Sequence, residues 1–196
     1  MKRIFLFTAV LLFTTGIFAQ QRGFKPVKVA ETGTNVLYKQ SHALVIGMSN
    51  YTNGWPSLSG VSDDIPEVKS ALEQHGFNVV VKMDLNKEQL DKAFMDFITT
   101  YGQDPENRLL FYFAGHGHTL NNFGEVNGYI IPVNAPNPNY DKSGFIAKSM
   151  PMSRIEEYAK QSSSKHALFL FDACFSGSLF STSRAIPVDI SEKTAQ

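Results

Sequence analysis

Short, wholly apolar runs alternate along this chain with stretches whose apolar residues recur at three and four positions. Ala43 to Gly47 reads as a short buried strand. The segment after it, with Asn53-Gly54, Pro56 and Gly60, reads as loop from its turn residues. Ile65, Val68, Ala71, Leu72 and Phe77 approximate helical spacing, and Gly76 is a stop after His75. Asn78 to Lys82 reads as the next strand. Asn86 then caps a helix in which Leu90, Ala93, Phe94, Phe97 and Ile98 recur at three and four, ending near Gly102. Leu109 to Ala114 is apolar on both faces, as in the strand of a covered parallel sheet. Gly124 to Asn134 suggests a hairpin or short return strand. Ser153 is read as the cap of a helix through Ile155 and Tyr158, and Ala167 to Phe171 as another fully buried strand.

Strands alternating with helices imply right-handed crossovers and a mainly parallel sheet, hence an α/β fold. Functional groups in such sheets collect beyond the carboxyl ends of the strands. His116 follows the run ending at Ala114, and Cys174 follows the run ending at Phe171. Cys174 is the sole cysteine. An imidazole that takes a thiol proton, beside a thiolate that attacks a carbonyl, is the minimum of a cysteine hydrolase. The bland alternative for Cys174 is a small buried apolar residue, and for His116 a hydrogen-bonded structural histidine. His116, His118 and Cys174 would give three zinc ligands, but no carboxylate or further cysteine is placed to complete the set. No metal and no cofactor are expected. His42, His75 and His166 read as structural or surface residues.

Charge narrows the partners. Eighteen acidic residues balance eighteen basic ones, so no field recruits nucleic acid or an anionic membrane. Residues 1–20 read as an export signal: Lys2-Arg3, an apolar core from Ile4 to Leu12, and a cleavage candidate at Ala19-Gln20. An uncleaved membrane anchor is the alternative. Residues 21–40 read as a linker, 41–180 as one domain and 181–196 as a flexible tail. The expected location is periplasmic or extracellular, where a lone cysteine pairs with another chain, lies buried or is kept for its chemistry.

The motifs then carry a resemblance. Tyr112-Phe113-Ala114-Gly115-His116-Gly117 and Asp172-Ala173-Cys174-Phe175-Ser176-Gly177 resemble the histidine and cysteine motifs of caspase-like peptidases. The caspase histidine lies about 50 residues upstream of its cysteine, and His116 precedes Cys174 by slightly more. His42 to Gly47, Ser49-Asn50-Tyr51, Leu58 to Leu72 and Ile131 to Pro138 are similar, in order, to further family segments. The likeness is to paracaspases and metacaspases. It implies a three-layer sandwich with a mainly parallel central sheet, His116 as general base, Cys174 as nucleophile, and an oxyanion hole from the Gly117 and Cys174 amides. Gly117 as a plain turn glycine fits equally well.

Caspases have glutamine two residues before the nucleophile, and this chain has Asp172. The resemblance implies that Asp172 and Asp64 line a pocket for a basic residue preceding the cut; two carboxylates suit the planar fork of arginine. For Asp64 a helix cap is the competing reading, with Asp63 as a substitute. The family's smaller part, with its strands, is not recognised after Cys174, which leaves the fourth strand as an uncovered edge. A separate small subunit or a second copy of the chain is the expected partner, beside a peptide substrate. Arg184 is expected as a self-cleavage point. The competing classes are a catalytically incomplete fragment acting through another chain, and a thiol-based redox or metal-binding protein.

Overall fold

The computed structural model describes residues 38–122 and 125–175. The leader, most of the linker, and the tail with Arg184 lie outside the described residues. In chain order the elements are β1 (Ser41–Gly47), α1 (Ser59–Gln74), β2 (Asn78–Met83), α2 (Lys87–Tyr101), β3 (Arg108–Ala114), β4 (Gly117–Asn122), β5 (Glu125–Ile130), α3 (Lys142–Lys148), β6 (Met150–Pro151), α4 (Met152–Gln161) and β7 (His166–Asp172). One sheet has the order β2-β1-β3-β7 with every pairing parallel. A second, antiparallel sheet runs β4-β5-β6. The hairpin expected around Gly124 therefore starts earlier, at Gly117, and its return strand ends at Ile130. Met150–Pro151 joins it as a third strand that the sequence did not announce.

Alternation along the parallel strands divides the core between the two faces. Leu44, Ile46, Leu109, Phe111 and Phe113 face α2 and α4 in the larger cluster. There Phe111 stacks on Phe169 at 4.3 Å and Phe94 on Tyr158 at 5.3 Å. Ala43, Val45, Leu110 and Ala114 face the other way, against Ile65 and the half-buried Val61, Val68 and Leu72 of α1. Helix α1 lies so close to β1 that a Cβ on Gly47 would stand 2.6 Å from Ile65 Cγ1, so only glycine fits there. Three layers result: α1, the sheet, and the α2–α4 side.

The predicted helix in the middle of the chain forms with its cap. Asn86 accepts from the Gln89 N–H at 2.9 Å, and the Gln89 side chain accepts from the Asn86 N–H at 3.0 Å, a capping box. Its buried face is Leu90, Ala93, Phe94, Phe97 and Ile98. Elsewhere the boundaries shift. Helix α1 follows Leu58 with no side-chain cap, so Gly60 is helical, not loop, and neither Asp63 nor Asp64 caps. Phe77 lies past its end, because the chain turns at Gly76 with φ +80. Helix α4 has Pro151 at its N-cap, so Ser153 sits inside the first turn and does not cap it.

Strand β7 corrects the largest expectation. It pairs with β3 alone among the described residues, leaving its other edge without a described partner. Phe169 and Phe171 pack into the larger cluster, but Leu168 and Leu170 on the α1 side are 52% and 42% exposed. The strand is half-buried on one face and exposed on the other. Helix α1 packs over β1 and β2 and leaves the β7 side of the sheet open.

Candidate active site

Register brings the two motifs together. Ala114 of β3 lies opposite Asp172 of β7, and the Gly115 N–H donates to the Asp172 carbonyl at 3.2 Å. His116 and Cys174 leave the sheet from that shared edge. A cavity of about 480 Å³ is lined by Asp64, His116, Asp172 and Cys174, with Leu58 and Gly115 among their neighbours. Cys174 is a free and exposed thiol, which removes the reading of a buried apolar cysteine. Asp64 reaches the cavity from the exposed side of α1.

The His116 ring is held on three sides. Tyr51 packs against it with centroids 4.5 Å apart, and Trp55 at 5.2 Å. Nε2 lies 2.8 Å from the Pro56 carbonyl oxygen. A carbonyl can only accept, so Nε2 carries the hydrogen and Nδ1 is left as the basic nitrogen. The His116 backbone N–H donates to the Tyr51 hydroxyl at 2.7 Å, and that hydroxyl donates to the Ile131 carbonyl at 3.1 Å. Tyr51 is buried, and burial pushes its phenol pKa well above the usual range, so it remains a neutral donor. Gly115 makes room for this arrangement: its Cβ would stand 2.6 Å from the Tyr51 hydroxyl and 2.9 Å from Met48 Cβ.

The loop carrying Tyr51, Trp55 and Pro56 is anchored from beneath by Asp84, the residue after β2. Its carboxylate accepts from the Ser49 N–H at 2.7 Å, the Asn50 N–H at 2.9 Å and the Asn50 amide at 2.5 Å. Burial pulls the Asp84 carboxyl up, but those donors outweigh it and hold its pKa below the ordinary value. Ser49 Oγ closes the loop's far end on the Leu58 carbonyl at 2.9 Å.

Gly117 is placed differently from the side chains. It begins β4, and its α-carbon faces the Phe175 ring, which a Cβ would meet at 2.9 Å. The Ile131 N–H donates to the His116 carbonyl at 3.1 Å, so Gly117 and Ile130 form a non-hydrogen-bonded pair. The Gly117 N–H accordingly points away from β5. His118 lies opposite Tyr129 on β4, edge-on to Trp55 at 5.8 Å and to Phe145 at 5.4 Å, and burial lowers its pKa. Among the described residues no three metal-ligating groups cluster. His42 is buried and stacked on Tyr101 at 4.1 Å; His75 bonds the Ala71 carbonyl; His166 meets Tyr38 edge-on.

Tyr51, Trp55, Pro56 and Asp84 were not singled out from the sequence as site residues. One signal was available: the chain's only tryptophan stands in a loop that follows a strand, and functional residues concentrate in such loops.

A caspase-domain family model matches residues 40–194, most of the chain and both motifs. The chain belongs to the caspase family. It is also similar to human mucosa-associated lymphoid tissue lymphoma translocation protein 1, at 30% identity over 149 residues. That alignment covers 76% of this chain and 17% of the human protein. The mouse homolog is 30% identical over 138 residues, covering 70% of this chain and 15% of its own length. The chain therefore spans less than a fifth of either relative. The caspase-like α/β fold, with its parallel sheet flanked by helices, is the one described above.

Proposed function

We propose that this member of a caspase-like peptidase family is a cysteine endopeptidase that cuts after arginine or lysine. The observation that carries the reading is one cavity lined by His116, Cys174, Asp64 and Asp172. With Nε2 donating to Pro56, Nδ1 of His116 takes the Cys174 proton. The thiolate adds to the peptide carbonyl, and the Gly117 and Cys174 amides receive the oxyanion. The tetrahedral adduct expels the amine, which takes its proton from His116, and leaves an acyl-enzyme. Water, deprotonated by the same imidazole, then releases the acid and restores the thiol. Asp64 and Asp172 draw in the basic side chain before the cut.

The test is hydrolysis of matched arginyl, lysyl and aspartyl peptides by the purified chain. Arginyl and lysyl peptides are expected to be cut, and Asp172→Ala to lose roughly 30-fold or more in kcat/KM for them. That figure corresponds to the about 2–5 kcal/mol lost when one partner of a desolvated charge pair is removed. A preference for aspartyl peptides would overturn the pocket assignment.

A second reading rests on the exposed face of β7 with Leu168 and Leu170: the chain works only with another chain seated there, a small subunit or a second copy. An inactive monomer whose Cys174 still accepts a thiol label supports it, and a fully active monomer removes it. Export by residues 1–20 would place the peptidase in the periplasm or outside the cell. A mature N-terminus near Gln20 supports that location, and an intact Met1 argues for an anchor. Among the described residues no helix is long and apolar enough to cross a membrane.

A further inference from the structure

The acidic pair has a neighbour to which neither the motifs nor the mechanism gives a role. Tyr112 is on β3, opposite Leu170 and two residue pairs before Ala114 and Asp172, hence on the same face of the sheet. Alternation places its ring on the α1 side of the sheet, half-buried against the smaller cluster. Its hydroxyl donates to Asp172 Oδ2 at 3.3 Å. It is not itself a lining residue of the cavity; it stands behind the carboxylate that is. Burial first, then the charge and hydrogen bond of Asp172 and the charge of Asp64, push the phenol pKa up, so it donates across the working pH range. Among the described residues Asp172 Oδ2 has this one side-chain partner and Oδ1 has none.

Resting on the reading that the cavity takes a basic side chain, we propose that Tyr112 is a positioning residue that orients Asp172 and makes the pocket favour arginine over lysine. A carboxylate held by a donor on Oδ2 keeps its plane and offers Oδ1 in one direction. A guanidinium is a rigid planar fork and profits from that alignment. An ammonium is a compact charge with three rotatable donors and accommodates a carboxylate that turns freely. Removing the hydroxyl costs the arginine complex its alignment while leaving the charge of Asp172 intact.

The experiment is an NMR titration of the wild-type chain and of Tyr112→Phe with benzoyl-arginine amide and benzoyl-lysine amide, which requires no turnover. The wild type is expected to bind the arginine probe more tightly. Tyr112→Phe is expected to lose about fivefold in that advantage, the equivalent of one net hydrogen bond, with lysine affinity changed by about twofold or less. Peptide hydrolysis should show the loss in KM and not in kcat. A merely structural role would weaken both probes equally, and that outcome overturns the proposal, as does a wild type without preference between the two. An arginine preference that survives Tyr112→Phe overturns the role of Tyr112 and leaves the basic pocket standing. A wild type that binds neither probe removes the basic pocket, and Tyr112's role with it.

Discussion

Tyr51→Phe removes one oxygen atom and tests how the imidazole is held. The ring remains, so its packing 4.5 Å from His116 remains. Two hydrogen bonds disappear: the His116 N–H loses its acceptor at 2.7 Å and the Ile131 carbonyl loses its donor at 3.1 Å. Phenylalanine supplies no substitute, and Tyr51 is only 6% exposed, so water has little access to replace it. A buried group left unpaired costs about 1–3 kcal/mol. The carbonyl and the amide together, less the gain from no longer burying a hydroxyl, give about 2 kcal/mol. For a domain of this size that lowers Tm by roughly 4–8 °C. His116 also loses its main-chain tether while Pro56 still holds Nε2, so kcat should fall about tenfold with KM little changed, as a small misplacement of a catalytic group does. Differential scanning calorimetry and steady-state kinetics read the two effects. A variant within about 1 °C of the wild type, with unchanged kcat, would refute the reasoning.

Gly115→Ala should cost a comparable amount, because its Cβ meets the Tyr51 hydroxyl at 2.6 Å and Phe113 Cζ at 3.0 Å; a loss of about 1–3 kcal/mol in urea unfolding is expected, and pairing it with Tyr51→Phe should recover part of the loss. Asp84 has a folded pKa below its ordinary value, so its contribution to stability is present above about pH 4 and lost as pH falls through the folded pKa. Asp84→Asn tolerates the same φ of 52 and should lower the urea midpoint at pH 7 while flattening its fall on acidification; an unchanged acid limb contradicts this. Leu168→Thr with Leu170→Thr changes residues that are about half exposed, so stability should stay within about 0.5 kcal/mol while light scattering on concentration decreases. A large loss of stability would mean that these side chains are covered in solution.

The sequence made the sheet legible because its strands are apolar on both faces and its helices are periodic. It also made the meeting of His116 and Cys174 legible, since both follow parallel strands at the same edge. The same apolarity misled at β7. Leu168 and Leu170 look like Val45 and Leu110, and only the placement of α1 over β1 and β2 shows which of them are covered. Strand β4 was missed because Gly117-His118-Thr119-Leu120-Asn121-Asn122 carries no apolar alternation; it is a strand through its pairing with β5. The grip on His116 was invisible for a related reason. Tyr51, Pro56 and Asp84 act through a main-chain N–H, a carbonyl and an anchored loop, contacts across 35 to 80 residues that leave no local pattern.

The central claim is that His116 activates Cys174, and the single thiol lets it be measured without knowing a substrate. The measurement is the rate of alkylation of Cys174 by iodoacetamide at pH 6.5, followed by intact mass, in the wild type and in His116→Ala. Thiolate is the reacting form, so the account predicts that the wild type reacts about tenfold faster or more than the variant. Equal rates in two equally folded proteins would contradict it.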